Sequence, residues 1–254
     1  MKYFDYVYAT SNLKCLENKM LKQEDFLRML EAGSSREAEE LLFDSGYFSR
    51  AEQGKGIDEL LRAKEREAFE TVKAFGLPEL DLFILQNDFY NIKASLKCVY
   101  ENTDPAPYLK KPASEWTYGI YEKVRENDFS GFPEPYGEII SKGYSILAES
   151  SSGRETEEFI DGEFYKTGIS LSDKAFFRSW FELLGKLRSI STEAQNRKLE
   201  FLKARKSNVF DVDPVFGFYY GMLSEVRNLR TVLFGKRAGI DPDILKERLC
   251  ITYV

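Results

Sequence analysis

Leu82-Phe83-Ile84-Leu85-Gln86-Asn87-Asp88-Phe89-Tyr90-Asn91-Ile92-Lys93-Ala94-Ser95-Leu96-Lys97-Cys98-Val99 is the stretch on which the fold turns. Leu82, Leu85, Phe89, Ile92, Leu96 and Val99 follow one another in steps of three and four. That is the spacing of a heptad seam, and it predicts a helix of about five turns with one apolar face. Asn102 to Pro112, which holds three prolines, cannot continue it.

The seam returns later in the chain. A shift of 137 residues carries Leu82, Leu85, Phe89, Ile92 and Leu96 onto Tyr219, Met222, Val226, Leu229 and Leu233. The polar residues between them match as well: Asp88 with Glu225, Asn91 with Asn228 and Lys93 with Arg230. Apolar periodicity alone does not place an asparagine twice at one position, so the repeat is read as one of structure. A fainter copy appears at a shift of 95, which sets Phe177, Trp180, Leu184 and Leu187 on the seam and Arg188 on Lys93. In that copy Leu183 and Lys186 stand where the acid and the asparagine should be. The repeated asparagine is expected to bond a packed neighbour and fix helix register. Asp88 and Glu225, one turn before it, are placed to accept from its amide.

Outward from these two segments the chain reads as helical throughout, because Leu, Glu, Lys, Ala and Arg fill the long intervals between only 8 prolines and 17 glycines. Leu13, Leu16, Met20, Leu27 and Leu30 form a stripe over one helix, or over two broken after Leu21. Gly33 stops it, and Ser34 with Glu37 has the form of a capping box opening a short helix through Phe43, which Ser45-Gly46-Tyr47 closes. Asp58 to Phe75 is a third helix, with Asp58 as N-cap and Gly76 and Pro78 as stop signals. Further helices are expected over Tyr136–Glu149, Thr156–Tyr165, Ser172–Ser191 and Tyr219–Phe234, with a short last one started by Asp241-Pro242. Ser150 to Gly153 separates the first two of these, and Asn127 to Pro135 is a surface connection. Glu193 to Lys206 interleaves both signs of charge and reads as a solvated face. The apolar end, Leu249 to Val254, is expected to pack back on the body.

The fold class expected is therefore all-α, a single all-helical chain over 1–254 made of repeated helical bundles. Provisional repeats are 1–126, 127–206 and 207–254, the last open to completion by the N-terminal helix.

Several function classes lose their chemistry here. The 254 residues contain no histidine, which removes the commonest general base near neutral pH and the commonest transition-metal ligand. Cys15, Cys98 and Cys250 are odd in number and far apart, as in a reduced chain rather than a zinc or dithiol site. There is no Gly-rich phosphate loop and no G-x-S-x-G. The close carboxylate pairs, Asp211 with Asp213 and Asp241 with Asp243, read as helix entries. A formal charge of −6 argues against gripping nucleic acid. The longest apolar runs, Leu80–Leu85 and Val215–Leu223, are too short to span a bilayer. Neither a catalytic residue, a cofactor, a metal nor a small-molecule substrate is expected.

Read together, Tyr6-Val7-Tyr8-Ala9-Thr10-Ser11-Asn12-Leu13-Lys14, the Ser45-Gly46-Tyr47 turn, Asp88-x-x-Asn91-Ile92-Lys93, Glu225-x-x-Asn228-Leu229-Arg230 with Gly235-Lys236, and Leu245-Lys246-Glu247-Arg248-Leu249 to Tyr253-Val254 resemble the C subunit of prokaryotic V-type (A-type) ATP synthases. The eukaryotic relative of that family is the d subunit of the V-ATPase. No single motif is specific; their order along the chain carries the likeness. The resemblance implies a funnel-like assembly of three helical bundles on the cytoplasmic face of the membrane-embedded proteolipid ring. It also implies a non-catalytic socket, one copy per complex, that receives the D and F subunits of the central stalk and couples them to the ring during ion transport.

This chain is shorter than the family pattern, and its middle copy lacks the Asp-x-x-Asn, so one bundle would be reduced between about Asn102 and Val209. Arg227, Lys236 and Arg237 are the stalk-interface candidates, set against a plainer role as helix-end charges. A generic helical scaffold or adaptor is the other reading, although a 137-residue repeat is far longer than the about 33–47 residues of common helical solenoids.

Overall fold

The computed structural model describes residues 3–150, 153–187 and 191–254. They form twelve α-helices and, among the described residues, no strand: α1 Tyr3–Glu17, α2 Gln23–Glu31, α3 Ser35–Asp44, α4 Ile57–Lys73, α5 Leu80–Glu101, α6 Ile120–Arg125, α7 Tyr136–Ser150, α8 Gly153–Ser170, α9 Ala175–Leu187, α10 Thr192–Lys203, α11 Asp213–Arg237 and α12 Pro242–Glu247. The all-α expectation holds.

Local signals place most boundaries. The opening stripe does break, between α1 and α2. Ser34 caps α3, its hydroxyl accepting from the Glu37 N–H at 3.1 Å. Glu37 accepts in turn from Gly33 N–H at 2.8 Å, one residue before the cap. Asp241 caps α12 by accepting from the Asp243 N–H at 2.8 Å. α4 starts one residue before the expected cap, with Gly56 at the N-cap and Asp58 inside the first turn, where it pairs with Arg62 at 2.8 Å. α5 runs to Glu101 and is closed by Asn102 in the left-handed region, φ 52°. α11 begins at Asp213-Pro214, earlier than the seam required, because proline is well suited to a first helical turn. The separator at 151–152, the end of the predicted Ser172–Ser191 helix at 188–190, and Arg188 lie outside the described residues.

The chain divides into two compact units: Met1–Leu77 with Ser189–Val254, and Pro78–Arg188. These divisions fall elsewhere than the provisional repeats 1–126, 127–206 and 207–254. In the first unit α11 is the spine, packed by α1, α2, α3, α4, α10 and α12. Val226, Leu229, Val232 and Leu233 meet Phe26, Met29 and Leu30 of α2, Leu42 of α3 and Leu60 and Leu61 of α4 in one buried cluster. The N-terminal helices thus complete the bundle built on the last long helix.

In the second unit α5 is the spine, packed by α6, α7 and α8, with α9 against α8. Its core is aromatic. Phe89 lies 5.5 Å from Phe164 and 6.0 Å from Tyr136, ring centre to ring centre, and Phe164 meets Phe181 at 5.5 Å in edge-to-face geometry. The predicted seam residues Leu82, Leu85, Phe89, Ile92 and Leu96 are all buried.

The terminal residues also fold back: Leu249, Cys250 and Tyr253 are buried. Tyr253 lies across Gly217 and Gly221 of α11. A methyl group at Gly221 would sit 2.6 Å from Tyr253 Cβ, and one at Gly217 2.5 Å from its hydroxyl oxygen. The two glycines are therefore the floor on which the ring rests.

Candidate functional site

The repeated polar residues are the best-defined polar constellation, and each of the three positions does the same work in both units. Asn91 is fully buried on α5. Its Oδ1 accepts from the Lys110 N–H at 2.7 Å and its Nδ2 donates to the Lys110 carbonyl at 3.1 Å. Asn228, on α11, accepts from the Cys250 N–H and donates to the Cys250 carbonyl, both at 2.9 Å. A primary amide presents a donor and an acceptor side by side, as a neighbouring strand would, so it pairs with both polar groups of an extended residue that no ladder serves. Asn91 also donates to Thr117 Oγ1 at 3.2 Å.

Each acid holds the entry to another helix of its unit. Asp88 accepts from Ser114 N–H and Ser114 hydroxyl, both at 2.7 Å, immediately before the 3-10 turn Glu115–Gly119 that leads into α6. Glu225 accepts from the Leu21 N–H at 2.6 Å, immediately ahead of α2. The expected bond from acid to asparagine amide is replaced by these. A folded backbone supplies unpaired N–H groups at helix entries, and they need a buried acceptor more than the amide does.

The cations tie the spine to a neighbouring helix. Lys93 Nζ meets Asp161 of α8 at 2.7 Å, and Arg230 meets Glu65 of α4 through two nitrogens, at 2.6 and 3.2 Å. α8 in one unit therefore stands where α4 stands in the other. α9, which carries the fainter copy, has Leu183 and Lys186 at the acid and asparagine positions and, among the described residues, no equivalent clamp.

Burial has an electrostatic price at the acids. It pushes Asp88 up to about 6, against the lowering effect of the two Ser114 hydrogen bonds. Glu225 is pushed up to about 7 by burial, opposed by the Tyr47 hydroxyl, the Leu21 N–H and the Lys64 ammonium, and reinforced by Asp25.

A folded-state value above the unfolded one means the native chain holds the extra proton. Stability is then fully present below about pH 4.5 and falls as pH rises through about 7. For Glu225 the loss is about 3 kcal/mol. Glu225→Gln keeps the acceptor for Leu21 and removes the charge, so denaturant unfolding between pH 5 and 8 should slope downward for the parent and by that much less for the variant. Parallel slopes would show that Glu225 stays ionised across the range.

The three interface candidates do not form one group. Lys236 Nζ donates to the carbonyls of Leu30 and Ala32 at 2.8 and 2.6 Å, closing the C-terminal end of α2. Arg237 pairs with Glu39 of α3 at 2.9 Å. Arg227 is exposed and sits apart from them, beside Cys250 and near Lys198 of α10.

Sequence reading passed over Lys198, because it lies in the charged run read as a solvated face. Ala194, Gln195, Leu199 and Leu202 of that run are buried, and Lys198 is half-buried among them. The signal was available in the three- and four-residue steps from Gln195 to Lys198 to Leu202.

Among the described residues no three of Cys, Asp and Glu are grouped as a metal would need, and no helix is long and apolar enough to cross a membrane. The site and fold together define an all-helical protein of bundle type. Compared with known proteins, the chain matches no family model and no curated protein.

Proposed function

We propose that this protein is a non-catalytic coupling component of a V/A-type rotary ATPase, a socket that joins the central-stalk D and F subunits to the membrane proteolipid ring. What most supports this reading is that the Asp/Glu-x-x-Asn-x-Lys/Arg helix serves as the spine of a bundle in each compact unit, with the acid, amide and cation in the same three roles. Repeated bundles on matching spines are what the resemblance to the rotary C subunit implies. The ordered likeness from Tyr6 to Val254 adds the family direction.

In this role the protein works as a rigid part, one copy per complex, at the cytoplasmic face of the membrane. Torque between stalk and ring needs helices that do not slide past one another. Buried amide clamps and spine-to-neighbour ion pairs resist such sliding better than apolar contact alone, since a shift of register breaks them.

The test is an affinity pull-down of tagged full-length protein from detergent-solubilised membranes of its native host, with mass spectrometry and a mock-tagged control. Co-purification of stalk D and F subunits with the proteolipid is the expected result. Recovery of the protein alone, or with unrelated soluble partners, would overturn the rotary reading in favour of a generic helical adaptor.

A further inference from the structure

The terminal segment lies along α10 and α11 of the first unit. Asn228 holds both polar groups of Cys250, Asn196 Oδ1 accepts from the Ile251 N–H at 2.9 Å, and Lys203 Nζ donates to the Thr252 carbonyl at 3.0 Å. Around Cys250, side chains from two helices converge: Lys198 from α10, and Tyr220, Ser224 and Arg227, which share a face of α11 by their spacing of four and three. The Tyr220 hydroxyl bonds Gln195 at 2.9 Å. Ser224 is buried, and its hydroxyl faces the Cys250 sulfur together with the Arg227 guanidinium.

Among the described residues, the charged groups that act on Lys198 and Cys250 here are positive. The groups acting on the Lys198 ammonium are Arg227, which opposes its charge, and the Cys250 thiol; no carboxylate is among them. Among the described residues neither half-buried Lys198 nor exposed Arg227 is in an ion pair, whereas the partly buried cations Lys206, Arg230 and Lys64 of the same unit are, with Glu17 at 3.1 Å, Glu65 at 2.6 Å and Glu67 at 2.8 Å. Burial, and then Arg227, pushes Lys198 down to about 8. In a chain of net charge −6, such a place invites a negative group from outside.

We propose that Lys198 and Arg227 form a receptor for an oxyanion, a carboxylate or phosphate group that docks between ammonium and guanidinium with the Ser224 hydroxyl behind it. The guanidinium fork matches two oxygens of either group, the ammonium adds a compact charge, and a neutral or cationic ligand gains from neither. This site stands independently of the rotary reading.

The test follows the Lys198 side chain of the full-length protein by NMR with 13C-labelled lysine, its resonance assigned from Lys198→Met. The protein is titrated with inorganic phosphate, with sodium acetate, and with sodium chloride at matched ionic strength. The expected result is a saturable change with phosphate or acetate that raises the Lys198 titration midpoint by about one pH unit, roughly tenfold in proton affinity. The effect should vanish in Arg227→Gln, whose exposed position leaves the fold intact, as circular dichroism verifies. Saturation by phosphate alone identifies a phosphate receptor, and saturation by acetate a carboxylate receptor. A response no larger than that to chloride, or one that persists in Arg227→Gln, would overturn the proposal.

Discussion

Replacing Asn228 by leucine is expected to lower the unfolding free energy by about 2–6 kcal/mol, since it leaves the N–H and carbonyl of buried Cys250 without partners at about 1–3 kcal/mol each. Leucine repeats the branched skeleton of asparagine with bulkier methyl groups, so a loss beyond that range would add overpacking to the missing hydrogen bonds. Asn91→Leu should cost less, about 1–3 kcal/mol, because Lys110 is exposed and its carbonyl also accepts from the Tyr118 hydroxyl at 3.4 Å, although the bond to Thr117 is lost as well. Urea unfolding of the two variants measures both. A loss under about 1 kcal/mol in either would mean that water replaces the clamp.

The second large effect belongs to Tyr253. Tyr253→Ala should cost about 3–5 kcal/mol, the usual cost of emptying a buried aromatic site. Gly221→Ala alone should cost about 1–3 kcal/mol, because the added methyl meets the ring. In the Tyr253→Ala background the same Gly221→Ala should turn favourable by up to about 1 kcal/mol, since only the helix preference for alanine over glycine is left. A double-mutant cycle by thermal or urea unfolding reads this reversal of sign. Additive losses would mean that glycine is required there for a reason other than Tyr253.

What could be read from the chain, and what could not, divides along physical lines. The spines α5 and α11 were legible because a helix brings residues three and four apart onto one face, so a seam, a repeated asparagine and the caps at Ser34 and Asp241 are local facts. The partners of the repeated residues were not. Which extended segment Asn91 or Asn228 clamps, and which helix entry Asp88 or Glu225 receives, depends on contacts with partners 19 to 26 residues away, or 204 in the case of Leu21 and Glu225.

α6 was missed altogether. It has six residues and follows a 3-10 turn with no capping side chain, too little for periodicity to register. The abundant Phe and Tyr suited a core or an interface equally well on composition; the rings of the second unit's core meet one another. Lys198 was hidden by its neighbours, since a run of alternating charges masks the few positions that turn inward.

The order in which the chain is synthesised sets the two units apart. Residues 78–188 form a unit drawn from one continuous stretch, so it can fold as soon as that stretch has left the ribosome. The first 77 residues emerge earlier but wait longer. Their apolar faces, Phe26, Met29 and Leu30 on α2 and Leu60 and Leu61 on α4, are buried against α11, which is synthesised only after residues 78–188. Until α11 emerges these helices have no spine to close on, which leaves their apolar faces exposed to aggregation while the nascent chain grows.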